Sequence, residues 1–296
     1  MKAGEAEARV AKRTQRYGGS ATEIKAEVVT KYVAFYGTAL KKQGFETGYF
    51  DAFAGSGWTD TGNSTDARGV ALRVLNIPDP LAHYAFNDNN PSNIESLRSA
   101  VNELALQISG RELKFPSTRF TVQDGNTAIQ DACRWVSASR MRRGVIFLDP
   151  FGMQVDWESL VAISRTKKLD AWVLIPTGQA IGRMLRLDGN IPPSWEGRFV
   201  RALGDADWRD RLYNPSSDLF GTSRPERVTV EGIERYVIER LKTIFPPHAV
   251  HPTGLRLIRQ SHPQFLLAFA CANPTPAAYS LALKVADALI EDAKVP

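Results

Sequence analysis

Apolar positions along this chain change period in a regular way. Between Ala21 and Lys42 they fall at Ile24, Val28, Val29, Tyr32, Val33, Tyr36 and Leu40, steps of three, four and one that build one apolar face of a helix with Thr22 as N-cap. The next apolar run, TGYFDAF, is short and ends in the glycine turn AGSG, the mark of a strand. Strand and helix then alternate. A helix over Ala67–Leu75, stopped by Asn76 and Pro78, precedes a strand at Ala82–Phe86, and NDNNP closes that strand before Pro91 opens a helix to Ile108. Thr118–Val122 is a third strand, with a helix over Thr127–Met141. Val145–Leu148 is a fourth, with a helix over Trp157–Thr166, and Asp170–Ile175 is a fifth. The fourth is wholly apolar, as a strand covered on both faces must be.

The alternation stops at 178. Residues 178–228, rich in Arg, Trp, Pro and Gly, read as an insertion of short helices. A helix over Val230–Ile244 follows, then strands at Gly254–Arg259 and Phe265–Ala272, then a last helix over Pro276–Glu291. The loop between those two strands is too short for a crossover, so they are antiparallel neighbours. The pattern predicts an α/β fold, a Rossmann-like sheet that is mostly parallel with a C-terminal antiparallel hairpin. Residues 1–20 read as a basic tail, disordered or ordering on a partner, and 21–296 as a single domain.

Composition narrows the class. The 296 residues are 43% hydrophobic and 23% charged, enough apolar material for one sizeable core. No run approaches the roughly 18 apolar residues of a membrane span, and the charged N-terminus has no apolar centre of the kind a secretory signal carries. Cys133 and Cys271 are far apart and form no CxxC, which points to buried free thiols, a reducing cytoplasm and no zinc or iron–sulfur site. His83, His248, His251 and His262 lack the acidic or cysteine companions of a metal site, so no metal is expected. The balance of 37 basic against 32 acidic residues, net +5, leans weakly toward a polyanion. The clusters Lys12/Arg13/Arg16, Arg140/Arg142/Arg143 and Arg165/Lys167/Lys168 suit phosphates, and two of them equally suit the C-terminal ends of helices.

Ligands of open α/β sheets bind beyond the C-terminal ends of the strands, so the residues there carry the chemistry. After strand one stands Asp51-Ala52-Phe53-Ala54-Gly55-Ser56-Gly57. Its glycines allow a tight turn and a close approach of backbone to ligand, and its carboxylate can hold a cationic group such as the amino group of a methionine moiety. Position 60 is Asp60, so there is no GxGxxG, which argues against a dinucleotide site, and the Gly-x4-Gly-Lys-Ser/Thr phosphate-binding pattern is also absent. Asp88, after strand two, can accept from ribose hydroxyls or cap the next helix. Asp124, ahead of Gly125, can meet an adenine amino group or cap in the same way. After strand four comes Asp149-Pro150-Phe151-Gly152. Here the Asp149 carboxylate and the Pro150 carbonyl can accept from an amino group and aim its lone pair at a methyl sulfonium, while Phe151 offers a face to a planar base. Such positioning can supply about 7–11 kcal/mol of a barrier. An Asp-Pro turn can also simply end a strand.

Together these pieces resemble the class I S-adenosylmethionine-dependent methyltransferases. The Asp-x-Phe-Ala-Gly-x-Gly of strand one and the Asp-Pro-aromatic of strand four are similar to the branch that methylates exocyclic amino groups. The usual second proline is replaced here by Phe151, with Gly152 following, a form similar to that of the tRNA guanine-N2 dimethyltransferases. More closely, the chain resembles the three-Cys-motif partner proteins, through Lys25 and Tyr32 in the opening helix, Tyr49–Gly57, Leu148–Gly152 followed by Trp157, and the C-terminal FLLAFACANP. The resemblance implies S-adenosylmethionine as cofactor, held by Asp51, Phe53, Ala54, Gly55, Gly57, Asp88, Asp124 and Gly125, with Asp149, Pro150 and Phe151 as catalytic residues. It implies a three-cysteine-motif protein as partner. The expected function is N-methylation of a nucleobase or nucleoside, free or in nucleic acid; the alternative is a non-catalytic methyltransferase-like subunit that binds the three-cysteine partner. The insertion, with Arg183, Arg186, Trp195, Arg198, Arg201 and Trp208, either selects substrate or packs its own small core.

Overall fold

The computed structural model describes residues 20–59, 68–108, 117–187, 189–217, 223–259 and 262–294. Residues 1–19 of the basic tail and Asp60 lie outside them, and Ser20 opens the first helix. Helix α1 (Ser20–Lys41) is followed by four strand–helix units and a fifth strand: β1 (Glu46–Asp51) and α2 (Val70–Leu75), β2 (His83–Asp88) and α3 (Pro91–Ile108), β3 (Ser117–Val122) and α4 (Gly125–Ser137), β4 (Arg142–Leu148) and α5 (Trp157–Thr166), then β5 (Leu169–Ile175). A π-helical turn at Thr177–Ile181 leads into α6 (Pro193–Leu203), α7 (Trp208–Leu212) and a small hairpin, β6 (Tyr213–Ser217) with β7 (Ser223–Arg227). Helix α8 (Val230–Lys242), strands β8 (Leu255–Arg259) and β9 (His262–Cys271), and helix α9 (Pro276–Asp292) complete the chain.

The large sheet has the order β3-β2-β1-β4-β5-β9-β8. Strands β1 to β5 pair in parallel, and β9 lies antiparallel to both β5 and β8. The expected mostly parallel sheet with a C-terminal antiparallel hairpin is therefore present. Successive connections run one way from β1 to β3 and the other way from β4, so the crevice of the fold opens between β1 and β4.

Alternation along the strands divides the core. Tyr49, Val145, Phe147, Trp172, Leu174, Leu267 and Phe269 face a layer made by α1, α2, α3 and α9. Phe50, Ile146, Leu148, Ala171, Val173, Leu266 and Ala268 face α4, α5 and α8. Fully buried Trp172 packs on Phe269 (4.8 Å between centroids) and Tyr32 (5.5 Å), which fastens α1 across β5 and β9.

Several boundaries move. Thr22 lies inside the first turn of α1 rather than capping it, because the helix already includes Ser20. Helix α2 starts at Val70, behind Gly69, and not at Ala67, which lies outside the described residues. Helix α4 stops at Ser137, where Ala138 ends the hydrogen bonding and the chain turns into β4. The insertion holds a strand pair as well as helices, each strand with a proline, Pro215 and Pro225, opposite one another. Those prolines hid the hairpin in the sequence, since proline ordinarily argues against a strand.

Candidate active site

The last residue of β1 is Asp51, and Asp149 immediately follows β4. The two strands are neighbours, and both residues keep the phase of the α1 face, Asp51 with Tyr49 and Asp149 with Phe147. They line one cavity of about 480 Å³ at the C-terminal edge of the sheet. A ligand pocket for a small molecule falls in the range of about 300–1,000 Å³. Its walls include the turn Phe53–Trp58, the loop Pro150–Gly152, the first turns of α1 at Thr22 and Lys25, Val70 at the start of α2, Gln179 and Ala180 of the π turn, and Ile258 and Phe265 of the β8–β9 hairpin.

Asp51 is buried, and its carboxylate accepts from the Phe53 backbone N–H (3.0 Å) and the Tyr49 hydroxyl (3.4 Å). Burial pushes its pKa up to about 7, and the nearby Asp149 carboxylate adds to the rise. The Phe53 N–H, Lys25 and the Tyr49 hydroxyl oppose it. A buried carboxylate in that state gains from a cationic ligand, which would favour its charged form. Asp149 is paired with Lys25, which reaches across from α1. Phe151 is 56% exposed beside the cavity, and its N–H is fixed by the Gln154 side chain (2.9 Å).

Gly55 and Gly57 have φ of +62° and +83°, the left-handed region that glycine tolerates. At Gly57 an added Cβ would lie 2.7 Å from Leu97 Cδ1 and 3.4 Å from Leu72 Cγ. A side chain there runs into the core rather than into the ligand space, so Gly57 shapes the cavity by permitting the turn.

The structure brings Asp51, Phe53, Ala54, Gly55, Gly57, Asp149, Pro150 and Phe151 to this cavity. Asp88, Asp124 and Gly125 are not among its lining residues. Asp88 is buried; it accepts from Gly55 N–H (3.1 Å), Asn90 N–H (2.8 Å) and the Asn93 side chain (3.1 Å), so it holds the glycine turn against the start of α3. Asp124 caps α4 through Asn126 N–H (2.9 Å) and Thr127 N–H (3.3 Å). Gly125 lies under the Phe53 ring, where a Cβ would sit 2.4 Å from Cζ. The sequence reading missed Lys25, Gln179 and the hairpin residues as cavity walls. Lys25 carried a signal, because it falls two turns before Tyr32 on the apolar face of α1.

The insertion shares a small core with α8: Trp208 stacks on Phe199 (4.5 Å), with Leu185, Leu203 and Leu212 buried around them together with Ile233 and Val237 of α8. Among the described residues no group of three or more His, Cys, Asp or Glu side chains is arranged to hold a metal. His251 is engaged by Asp287 (3.2 Å) and by the Gly254 N–H on its Nδ1 (2.9 Å). No helix among the described residues is long and apolar enough to cross a membrane.

The sheet order and the antiparallel β9 are those of a class I methyltransferase-like fold. No protein-family model matches the chain, and no curated protein matches it. Solved structures with some likeness include Trm1 from Pyrococcus horikoshii in complex with S-adenosyl-L-methionine, at 15% identity and TM-score 0.45, covering 84% of this chain and 54% of that one. The chain thus spans about half the length of Trm1. A Legionella pneumophila protein of the DUF519 family has 15% identity and TM-score 0.39, over 78% of this chain and 95% of that one. An S-adenosylmethionine-dependent methyltransferase from Clostridium acetobutylicum has 9% identity and TM-score 0.35, over 84% and 91%.

Proposed function

We propose that this chain is an S-adenosylmethionine-dependent N-methyltransferase whose acceptor is an exocyclic amino group of a nucleobase or nucleoside, free or within nucleic acid. The observation that carries the reading is the single cavity that holds both Asp51 with its glycine turn and Asp149-Pro150-Phe151. The cavity fits the cofactor in volume and in charge. Asp51 accepts the amino group of the methionine moiety, and the turn Phe53–Gly57 lets the backbone pass close to it. S-adenosylmethionine, when bound, supplies an activated methyl group.

The chain's own residues then position the acceptor. Asp149 and the Pro150 carbonyl accept N–H bonds from the amino group, which orients the nitrogen lone pair, and Phe151 stacks on the ring. Stacking of this kind is worth about 1–3 kcal/mol per base. Asp88 and Asp124 act at one remove under this reading, by holding the glycine turn and the start of α4. The three-cysteine-motif protein remains the proposed partner. The exposed Trp58 and Ile258 beside the cavity offer apolar surface to such a protein or to a larger substrate.

Calorimetric titration with S-adenosylmethionine and S-adenosylhomocysteine, followed by a turnover assay on nucleosides and RNA, tests this. The expected dissociation constants are micromolar, about −8 kcal/mol. Asp149→Ala is expected to cost about 100-fold or more in turnover while cofactor affinity stays within about threefold. Absence of cofactor binding, with and without the three-cysteine partner, would sink the reading. Binding without turnover on any substrate would favour the non-catalytic subunit.

A further inference from the structure

Lys25 is the one basic side chain lining the cavity among the described residues. It comes from α1, whose first turns form one wall, and its Nζ pairs with Asp149 Oδ2. The same Nζ lies 6.0 Å from the Phe147 ring centroid, at the end of β4. The Lys25 side chain is only 11% exposed, and that of Asp149 27%. Oδ1 of Asp149 has no hydrogen bond among the described residues. The seat at Asp149 therefore offers one free acceptor oxygen next to a fixed positive charge.

We propose that Lys25 is a specificity-determining residue, one that makes the Asp149 seat take an uncharged amino group and reject a cationic alkylamine. The inference rests on the methyltransferase reading of the cavity and names the acceptor class within it. An arylamine N–H, as on a nucleobase, carries no net charge and donates to Oδ1 without opposing Lys25. An alkylammonium, such as a lysine side chain or a polyamine, meets a like charge a few ångströms away and a carboxylate already neutralised. Asp51 lies in the same cavity; Lys25 acts on it only through space, and among the described residues no cation pairs with it directly. A cation entering the cavity is thus directed to Asp51 and away from Asp149, so cofactor and acceptor are sorted by charge.

The test compares wild type with Lys25→Met, Lys25→Arg and the double variant Lys25→Met/Asp149→Asn. Each full-length protein is titrated with cadaverine, and separately with adenosine, guanosine and cytidine, with and without saturating S-adenosylhomocysteine. Methionine keeps most of the side-chain volume, and melting temperatures report whether α1 stays in place. Lys25→Met is expected to bind cadaverine about tenfold or more tightly than wild type, a gain of about 1.4 kcal/mol. The gain should vanish in the double variant and be missing in Lys25→Arg. Equal cadaverine affinity in wild type and a folded Lys25→Met would overturn the proposal and leave Lys25 as a pin for α1. So would a gain that survives Asp149→Asn, since the cation would then sit elsewhere. The cadaverine titrations need no cofactor, so they decide the role of Lys25 even if S-adenosylhomocysteine fails to bind. That failure would count against the methyltransferase reading alone.

Discussion

Asp51 and Asp170 are two buried carboxylates on the same face of the same sheet, under the same helix. Asp51 ends β1 at the C-terminal edge, and Asp170 is the second residue of β5 at the opposite edge. Burial raises both pKa values, to about 7 and about 6 respectively. The surroundings differ. Asp170 accepts from the Tyr32 hydroxyl (2.6 Å) and is buried beside the Cys271 thiol. Asp51 has a longer contact to its own tyrosine, Tyr49 (3.4 Å), and opens on the cavity. A perturbed carboxylate therefore does not mark a site by itself; perturbation together with room for a ligand does.

The strongest way to break this comparison is to neutralise each carboxylate. Asp51→Asn is expected to weaken S-adenosylmethionine about 100-fold, or about 2.7 kcal/mol, as loss of a buried charge-assisted contact does. Asp170→Asn should leave the affinity within about twofold. Parallel calorimetric titrations of the two variants decide it. An equal loss in both would mean that the difference between cavity and core has no functional content.

Stability should move in the other direction. Asp51 binds its proton more tightly in the fold than in the unfolded chain, whose carboxyl keeps the ordinary value of 3.8. Between about pH 3.8 and 7 the folded state holds protons that the unfolded state has released, so Asp51 costs the protein stability as pH rises through that window. Asp170 does the same between about 3.8 and 6. Each Asn variant should match wild type near pH 4 and exceed it by about 1–2 kcal/mol at pH 8, with part of the gain offset by the buried amide. Urea unfolding at the two pH values reads this directly, and an Asn variant less stable than wild type at pH 8 would refute it. Asp51→Asn would then be more stable and unable to hold the cofactor, the trade-off expected of a site residue.

Much of this was legible in the sequence, for identifiable reasons. The fully apolar Val145–Leu148 announced a central strand, and QSHPQ between two apolar runs announced the hairpin. Asp51 and Asp149 were singled out because ligands of open α/β sheets bind just beyond the C-terminal ends of the strands, and Asp51 stands there beside a glycine turn. Asp88 and Asp124 carry the same strand-end signature, but whether such a side chain caps a helix or faces a ligand depends on a rotation that spacing does not encode. Lys25 showed only as a polar residue on the apolar face of α1, and Gln179 reaches the cavity from an element remote in sequence, so local pattern gave no hint that the two line one cavity. Nor did it choose between the two readings of the insertion: Trp208 turns inward onto Phe199, while Gln179 and Ala180 reach the cavity.

The smallest expected effect tests whether the two carboxylates are independent. Helix α1 is held at one end by Lys25 on Asp149 and two turns later by Tyr32 on Asp170. Tyr32→Phe removes the second tie and keeps the ring that packs on Trp172 and Phe269. The cost should be about 1 kcal/mol, a typical net hydrogen bond. It should be larger at pH 8 than at pH 4, because the hydroxyl is lost to an ionised partner at the higher pH and a neutral one at the lower. Cofactor affinity should stay within about twofold, since the Lys25 end of the helix is untouched. If affinity falls in step with stability, α1 transmits strain from the core to the cavity wall. Asp51 and Asp170 would then belong to one coupled system, not to a site and a scaffold.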